Sequence, residues 1–144
     1  MCITDPVFGE MKYHYRWEKQ ETIPFCGIKK KVTVAAKAYS GEQINDKQRD
    51  AYRYFTTHVE QIGKECFELA SEYIWKNFDQ IALYFPNVKL LETPQELHKV
   101  MDLKTLYFSQ EGECILLFKT EWAEDDIAIM IYPEKKIGAQ NLFL

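Results

Sequence analysis

The sequence lacks the motifs that mark most catalytic and metal-binding proteins. Its four cysteines are dispersed without a CxxC pair and its six glycines are isolated, so neither a zinc or redox motif nor a glycine-rich phosphate loop is indicated. No serine or cysteine lies in a recognisable nucleophile elbow. We therefore expect a protein that is not an enzyme, with no catalytic residues, no bound metal and no cofactor.

Targeting segments are also missing. The N-terminus has no basic segment followed by an apolar one, and no apolar run is long enough to span a bilayer. We therefore expect a soluble, cytoplasmic protein without a membrane partner. All four cysteines are interpreted as reduced thiols, with Cys66 and Cys114 on buried faces.

Acidic residues outnumber basic ones, 22 to 18. The formal net charge is −4, and an acidic chain repels phosphate backbones, so no nucleic-acid partner is predicted. The basic run Lys29-Lys30-Lys31 is typical of a solvated turn. Aromatic residues, by contrast, reach 15%, and this surplus matters because exposed aromatic side chains anchor protein interfaces.

The N-terminal part shows the period-two alternation of strands, and residues 8–38 predict a β-meander. A polar turn is predicted over Glu18 to Glu21, followed by a short strand in which Pro24 favours the edge of a sheet. Cys26-Gly27 predicts a tight reversal. The alternating apolar residues are Met11, Tyr13, Tyr15, Trp17, Val32, Val34 and Ala36.

The period then changes to that of one long amphipathic helix, from about 45 to 77. Asn45 can cap its first turn, with Gln48 three residues later as in a capping box. Gly63 costs about 1 kcal/mol relative to alanine, and either a kink or two abutting helices there remains open. One apolar stripe keeps to a single side of this helix, formed by Tyr52, Phe55, Val59, Ile62, Cys66, Leu69 and Tyr73.

The remainder of the chain predicts a short helix followed by strands. Residues 78–88 are interpreted as a covering loop with one helical turn, and Thr93 caps a short helix over 94–101. The segments 114–122 and 127–132 are apolar on both faces, which is typical of central strands covered twice. The chain is therefore predicted to be a single α+β domain over residues 1–144, in which one sheet with antiparallel C-terminal strands packs against the helices.

One group of side chains on the long helix resembles a metal site. His58, Glu65, Glu68 and Glu72 share a broad polar side, and carboxylates with a histidine can hold a divalent cation. The pairs Glu60–Lys64 and Glu72–Lys76, however, have the favoured spacing and polarity of helix ion pairs. This side is therefore interpreted as a solvated face, and no metal is predicted.

Two aromatic features have alternative interpretations. The acidic segment Glu121, Glu124, Asp125 and Asp126 beside Trp122 is either an ordinary hairpin turn or an acidic knob that recognises a partner. The stripe of Tyr13, Tyr15 and Trp17 is either core packing against the helix or a sheet face that binds a partner.

The order of motifs resembles a bacterial family known as a domain of unknown function. Its members share a DPVFGE strand, an IPFxG hairpin and a QxxAY helix, and they end in strands carrying a tryptophan before acidic residues. The corresponding residues here are 5–10, 23–27, 44–55 and 118–125, although the family's acidic-His-Gly turn is replaced by Asp125-Asp126-Ile127. Genes of this family often lie in polymorphic toxin loci, so the resemblance implies an immunity protein.

These features together predict a small cytoplasmic domain that binds a protein, and the expected partner is a basic toxin domain that it neutralises. The predicted contact residues are Glu121, Trp122, Glu124, Asp125 and Asp126. Two alternatives remain open. One is a ligand-binding or enzymatic domain with a pocket between helix and sheet, lined by His58 with Glu65 or by Tyr107. The other is a homodimer formed through an apolar sheet face.

Overall fold

The computed structural model describes residues 1–39, 42–84, 91–120, 122 and 126–144 of the chain. Within these residues, eight strands form one sheet in chain order. The strands are β1 (Cys2–Asp5), β2 (Gly9–Tyr13), β3 (Trp17–Phe25), β4 (Ile28–Ala36), β5 (Asp102–Phe108), β6 (Cys114–Lys119), β7 (Ile127–Tyr132) and β8 (Lys136–Ala139).

Four α-helices of the described residues lie between β4 and β5. They are α1 (Asp46–Thr57), α2 (Val59–Lys76), α3 (Phe78–Tyr84) and α4 (Leu97–Val100). A 3₁₀ turn at Pro94–Glu96 precedes α4, and another at Gln140–Leu142 follows β8. Neighbouring strands pair antiparallel at every step except β4–β5, which pair parallel. A parallel pair needs a long crossover, and the helices supply it. The α+β class is confirmed, whereas this parallel junction was not predicted.

The long helix predicted from about 45 to 77 is divided in two at His58. Thr57 precedes the break, and its hydroxyl donates to the carbonyl oxygens of Arg53 and Tyr54 at 2.8 and 3.2 Å. Side-chain bonds of this kind compete with the helical ladder. Gly63, where the sequence left a break open, lies inside α2, and a Cβ there would meet the backbone nitrogen of Cys26 at 3.6 Å.

The β2–β3 hairpin differs from its prediction. The strand expected to continue through Tyr15 ends at Tyr13, which pairs with Trp17. Tyr15 has φ +65° and is 87% exposed at the tip of the turn. Trp17 is buried, so the stripe divides between core and solvent. The alternation of apolar and polar residues does not reveal this turn, because the apolar residues keep the same spacing of two before and after it.

The polar turn predicted over Glu18 to Glu21 is wrong. These residues belong to β3 and pair with residues 32–35 of β4. Their pairing partners outweigh their weak strand propensity. Pro24 pairs with Lys29 of β4, while the β2–β3 pairing is confined to Trp17 and Glu18 of β3. Because Pro24 lies beyond this pairing, its missing N–H removes no hydrogen bond between β3 and β2.

The remaining helical segments agree with their predictions in part, since more of the first one is helical than expected. The segment from 78, interpreted as a loop with one helical turn, forms α3 as far as Tyr84 and buries Ile81. The rest of that segment, 85–88, lies outside the described residues. The short helix over 94–101 is confirmed as a 3₁₀ turn followed by α4, with the capping box of Thr93 and Glu96 present.

The main core lies between the helices and the inner face of the sheet. It includes Phe8, Phe55, Ile62, Leu106 and Phe118, each at most 1% exposed. The central strands β6 and β7 are buried on both faces, as predicted. A smaller cluster occupies the outer face, formed by Ala35, Tyr107, Ile115, Leu117, Ala128 and Met130 with Phe143 packed against it.

The cysteines agree with their predicted environments. Cys66 and Cys114 are buried free thiols, as is Cys26, whereas Cys2 is exposed. Burial raises the pKa of the Cys26 thiol to about 11, and it also raises the pKa of Cys66 and Cys114. These three thiols are therefore protonated and weakly nucleophilic at neutral pH. Among the described residues, no helix is long and apolar enough to cross a membrane.

Candidate functional site

The predicted acidic knob is only partly described. Glu121, Glu124 and Asp125 lie outside the described residues. Trp122 is only 3% exposed, and its indole N–H donates to the carbonyl oxygen of Val100 at 2.9 Å. Trp122 therefore packs in the core, and its buried ring is not an exposed anchor for a partner.

Asp126 is exposed, but its contacts are local. Its Oδ1 accepts a hydrogen bond from the backbone N–H of Thr120 at 3.1 Å. Its carbonyl oxygen accepts another from the N–H of Gln140 at 2.6 Å. Asp126 therefore holds together the end of β6 and the start of the C-terminal 3₁₀ turn.

The residues proposed to line a pocket between helix and sheet are separated. His58 is exposed and stacks on Tyr54, with ring centroids 4.4 Å apart. The Glu65 carboxylate lies 2.7 Å from the ammonium of Lys135. Tyr107 is buried on the outer face of the sheet. Within the described part of the chain, no three His, Cys, Asp or Glu side chains lie where they could hold a metal ion.

A cleft does open between the sheet and α2, at a different place. It has a volume of about 320 Å³, and Phe25, Gly27, Val59 and Gly63 are among its lining residues. His58, Glu65 and Tyr107 are not among them. The sequence features that suggested a pocket therefore do not coincide with this one.

The DPVFGE segment forms a structural joint with α1. Asp5 is 4% exposed, and its Oδ2 accepts hydrogen bonds from the backbone N–H groups of Val7 and Phe8 at 2.9 and 3.0 Å. Its Oδ1 accepts two more from Arg49 of α1, from Nε at 2.9 Å and Nη2 at 2.8 Å. Burial alone would raise the pKa of Asp5, but the bonds from Arg49, Phe8 and Val7 outweigh it and lower that pKa.

Phe8 of the same segment packs on the tyrosine of the QxxAY helix. The rings of Phe8 and Tyr52 are stacked with centroids 4.4 Å apart, and Phe108 of β5 meets both edge-on at 5.5 Å. Lys19 closes this cluster, because its ammonium donates to the Phe8 carbonyl at 2.5 Å and lies 4.9 Å from the Tyr52 ring centroid. The first and third motifs are therefore in direct contact.

Gln48 joins α1 to the parallel strands. It is fully buried, and its Nε2 donates to the carbonyl oxygens of Lys37 and Phe108 at 2.8 and 3.1 Å. The predicted capping box is confirmed, with Gln48 N–H donating to Asn45 Oδ1 at 2.9 Å and Asn45 N–H to Gln48 Oε1 at 3.0 Å. The sequence indicated only the capping role of Gln48, since its strand partners are far away in the chain.

The IPFxG segment makes the β3–β4 turn and binds the other helices. Cys26 and Gly27 have φ +47° and +82°, the left-handed pair of a two-residue hairpin turn. Cys26 Sγ donates to the carbonyl oxygen of Gly63 in α2 at 3.4 Å. His98 Nε2 of α4 lies 3.0 Å from the Phe25 carbonyl oxygen, to which it can donate. All three motifs therefore contribute contacts between sheet and helices.

Large apolar side chains are exposed on the helices α2 and α3. Trp75 near the end of α2 is 66% exposed, and Leu83 and Tyr84 at the end of α3 are 81% and 63% exposed. Glu68 and Glu72 precede Trp75 at spacings of seven and three residues, so they share its side of α2. Sequence reasoning missed these exposed side chains. The signal for Trp75 was its position two residues after the apolar stripe ends at Tyr73 and hence off that stripe.

Comparison with known proteins gives a family. A family model described as "Domain of unknown function (DUF6985)" matches residues 7–144. No curated protein and no solved structure matches the chain. The match spans nearly the whole sequence, from within the first motif to the last residue. The chain therefore belongs to the DUF6985 family of domains of unknown function.

Proposed function

We propose that this protein is a small protein-binding domain whose contact surface lies on α2 and α3. The supporting observation is the exposure of Trp75, Leu83 and Tyr84 on two consecutive helices, since tryptophan and tyrosine are enriched among the side chains that dominate binding energy. Burial of these side chains against a partner would remove their apolar area from water, which is favourable.

The neighbouring charge favours a basic partner. Glu68, Glu72 and Asp79 are exposed close to Trp75 in the sequence of α2 and α3, and the chain as a whole carries −4. Complementary charge raises the association rate and disfavours partners of like charge. Within this class, the proposal is an immunity protein that binds and neutralises a basic toxin domain, as the family resemblance implies.

The lowered pKa values of two aspartates favour a binding function over general acid catalysis. Asp5 and Asp102 both have a lowered pKa, because the bonds they accept outweigh the opposing effect of burial. Both carboxylates therefore stay ionised near neutral pH, whereas a general acid needs a raised pKa. The outer sheet face is less suitable for a second copy of the chain, because its apolar side chains are already buried.

The test is capture and rescue with the product of the neighbouring gene as the toxin candidate. We expect the protein to bind that product and restore growth, and the double variant Trp75→Ala/Tyr84→Ala to bind at least about 100-fold more weakly. The variant should keep its circular dichroism spectrum, since both side chains are exposed. The binding constant is measured by calorimetry.

Tyr15→Ala is the matched control, because Tyr15 is also an exposed aromatic residue, 87% accessible, but lies at the β2–β3 turn. It should bind like the wild type. Full rescue by the double variant would place the contact elsewhere. Failure of the wild type to bind or rescue would reject the immunity function.

A further inference from the structure

A basic cleft lies between the end of α4 and the paired strands β5 and β6. Its volume is about 320 Å³. Residues 98–102 line it together with Lys104, Lys119 and Thr120. None of these side chains belongs to the exposed aromatic surface of α2 and α3, so the cleft is a separate feature.

Positive charge is in excess at this cleft. Asp102 pairs with two lysines, with Lys104 Nζ 2.8 Å from its Oδ2 and Lys30 Nζ bonded to its Oδ1. Lys99 and Lys119 also line the cleft, and among the described residues neither has an acidic partner. Among the described lining residues, the three lysines Lys99, Lys104 and Lys119 thus accompany one carboxylate, that of Asp102, in a protein whose net charge is −4. A concave surface of one sign concentrates the field and attracts small anions.

Two polar atoms at the same cleft have no hydrogen-bond partner in the described residues. Thr120 is 8% exposed, and its Oγ1 is unpaired. His98 Nδ1 is also unpaired, while its Nε2 lies 3.0 Å from the Phe25 carbonyl oxygen and can donate to it. Leaving a buried hydroxyl without a partner is unfavourable, and such groups in native proteins call for an explanation. A ligand oxygen in the cleft would supply one after rotation of the whole Thr120 side chain, because its oxygen is inaccessible in the present rotamer.

We propose that this cleft binds a phosphate dianion, either free or carried by a small phosphorylated molecule. Lys104 and Lys119 neutralise the charge, and the Thr120 hydroxyl donates to a phosphate oxygen. Lysine binds phosphate as a point charge, and several lysines with one hydroxyl match its charge and its multiple acceptors. The volume suits a small metabolite, since ligand pockets begin at about 300 Å³.

The test is a titration of the full-length protein, followed through its backbone amide signals by NMR at a fixed ionic strength of about 0.15 M. Inorganic phosphate, O-phosphoserine and acetate are the probes. We expect saturable shifts at Val100–Asp102 and at Lys119–Thr120 with both phosphates and not with acetate. Tighter binding of O-phosphoserine would identify a phosphorylated molecule as the ligand, and equal binding would identify free phosphate.

The double variant Lys104→Gln/Lys119→Gln should bind about tenfold or more weakly, because two ammonium groups are lost. Lys12→Gln is the matched control, as Lys12 is an exposed strand lysine on β2. It removes one positive charge, half the change made by the double variant, and should leave the affinity unchanged. Absence of saturable shifts, or the same loss in both variants, would overturn the proposal.

Thr120→Val separates a ligand role from a structural one. The substitution removes an unpaired buried oxygen, so the melting temperature should stay the same or rise, while phosphate affinity falls several-fold. A fall in melting temperature with unchanged affinity would show that the hydroxyl serves the fold, and would remove it from the site.

Discussion

Replacing Asp5 with asparagine is expected to lower the free energy of unfolding by about 3 kcal/mol. The carboxylate is 1% exposed and accepts four hydrogen bonds, two from Arg49 and two from the backbone of its own turn. Asparagine has no charge for Arg49 and turns an N–H donor towards one of these donors. The measurement is equilibrium unfolding in urea at neutral pH.

Asp46→Asn is the matched control for this prediction. Asp46 also forms an ion pair with Arg49, with its Oδ1 2.8 Å from Arg49 Nη1, but its side chain is 91% exposed. Exposed ion pairs contribute little, so its loss should change stability by no more than about 0.5 kcal/mol. Equal losses in the two variants would show that burial of Asp5 is not what makes its pair with Arg49 important.

The same carboxylate predicts the acid sensitivity of the protein. The pKa of Asp5 in the folded state lies below the ordinary value of 3.8. Its stabilisation is therefore fully present above pH 3.8 and is lost as the pH falls through the lower, folded pKa. Unfolding free energy measured from pH 5 downwards should fall less steeply in Asp5→Asn than in the wild type. Parallel curves would contradict the lowered pKa.

The second large effect is expected for Gln48→Met, at about 2–3 kcal/mol of lost stability. Methionine keeps the side-chain volume, so the change removes hydrogen bonds without opening a cavity. It takes away one half of the capping box and both bonds to the carbonyl oxygens of Lys37 and Phe108. Urea unfolding monitored by circular dichroism measures the loss.

Gln43→Met is the control for Gln48→Met. Gln43 lies five residues earlier, before α1, and is exposed. Its replacement should change stability by no more than about 0.5 kcal/mol. A small loss at Gln48, similar to that at Gln43, would show that the capping box and the strand contacts are dispensable for α1.

Local chemistry explains what the sequence could predict. The capping box of Asn45 and Gln48 was visible because both partners lie within one helical turn. The reversal at Cys26-Gly27 was equally local. The break at His58 was missed because the apolar stripe keeps its spacing from Phe55 to Val59, so the pattern of one face does not register a change in the backbone.

Long-range contacts explain most of what it could not predict. The parallel pairing of β4 with β5 joins Val34 to Leu106, and no short-range signal specifies such a partner. Trp122 beside acidic residues suggested an exposed anchor, but Val100 and Tyr73, from other elements, enclose it. For Trp75 the local pattern does explain the observed exposure, since this residue lies off the apolar stripe of α2.

The motif residues and the proposed binding surfaces therefore occupy different places. Asp5, Phe8 and Gln48 are buried at the joint between α1 and the sheet, whereas Trp75 and Tyr84 lie in solvent. The three segments 5–10, 23–27 and 44–55 are accordingly explained by folding, because each of them makes contacts that hold helices on the sheet. The exposed side chains of the helices can then vary without disturbing that joint.

A double-mutant cycle between Asp5 and Arg49 most directly tests the claim that the DPVFGE segment holds α1 in place. The free energy of unfolding is measured in urea for the wild type, Asp5→Asn, Arg49→Met and the double variant. A joint built on their direct contact predicts a coupling energy of about 2 kcal/mol or more between the two sites. Additive losses, within about 0.5 kcal/mol, would contradict the claim that the DPVFGE segment and α1 are held together by this pair.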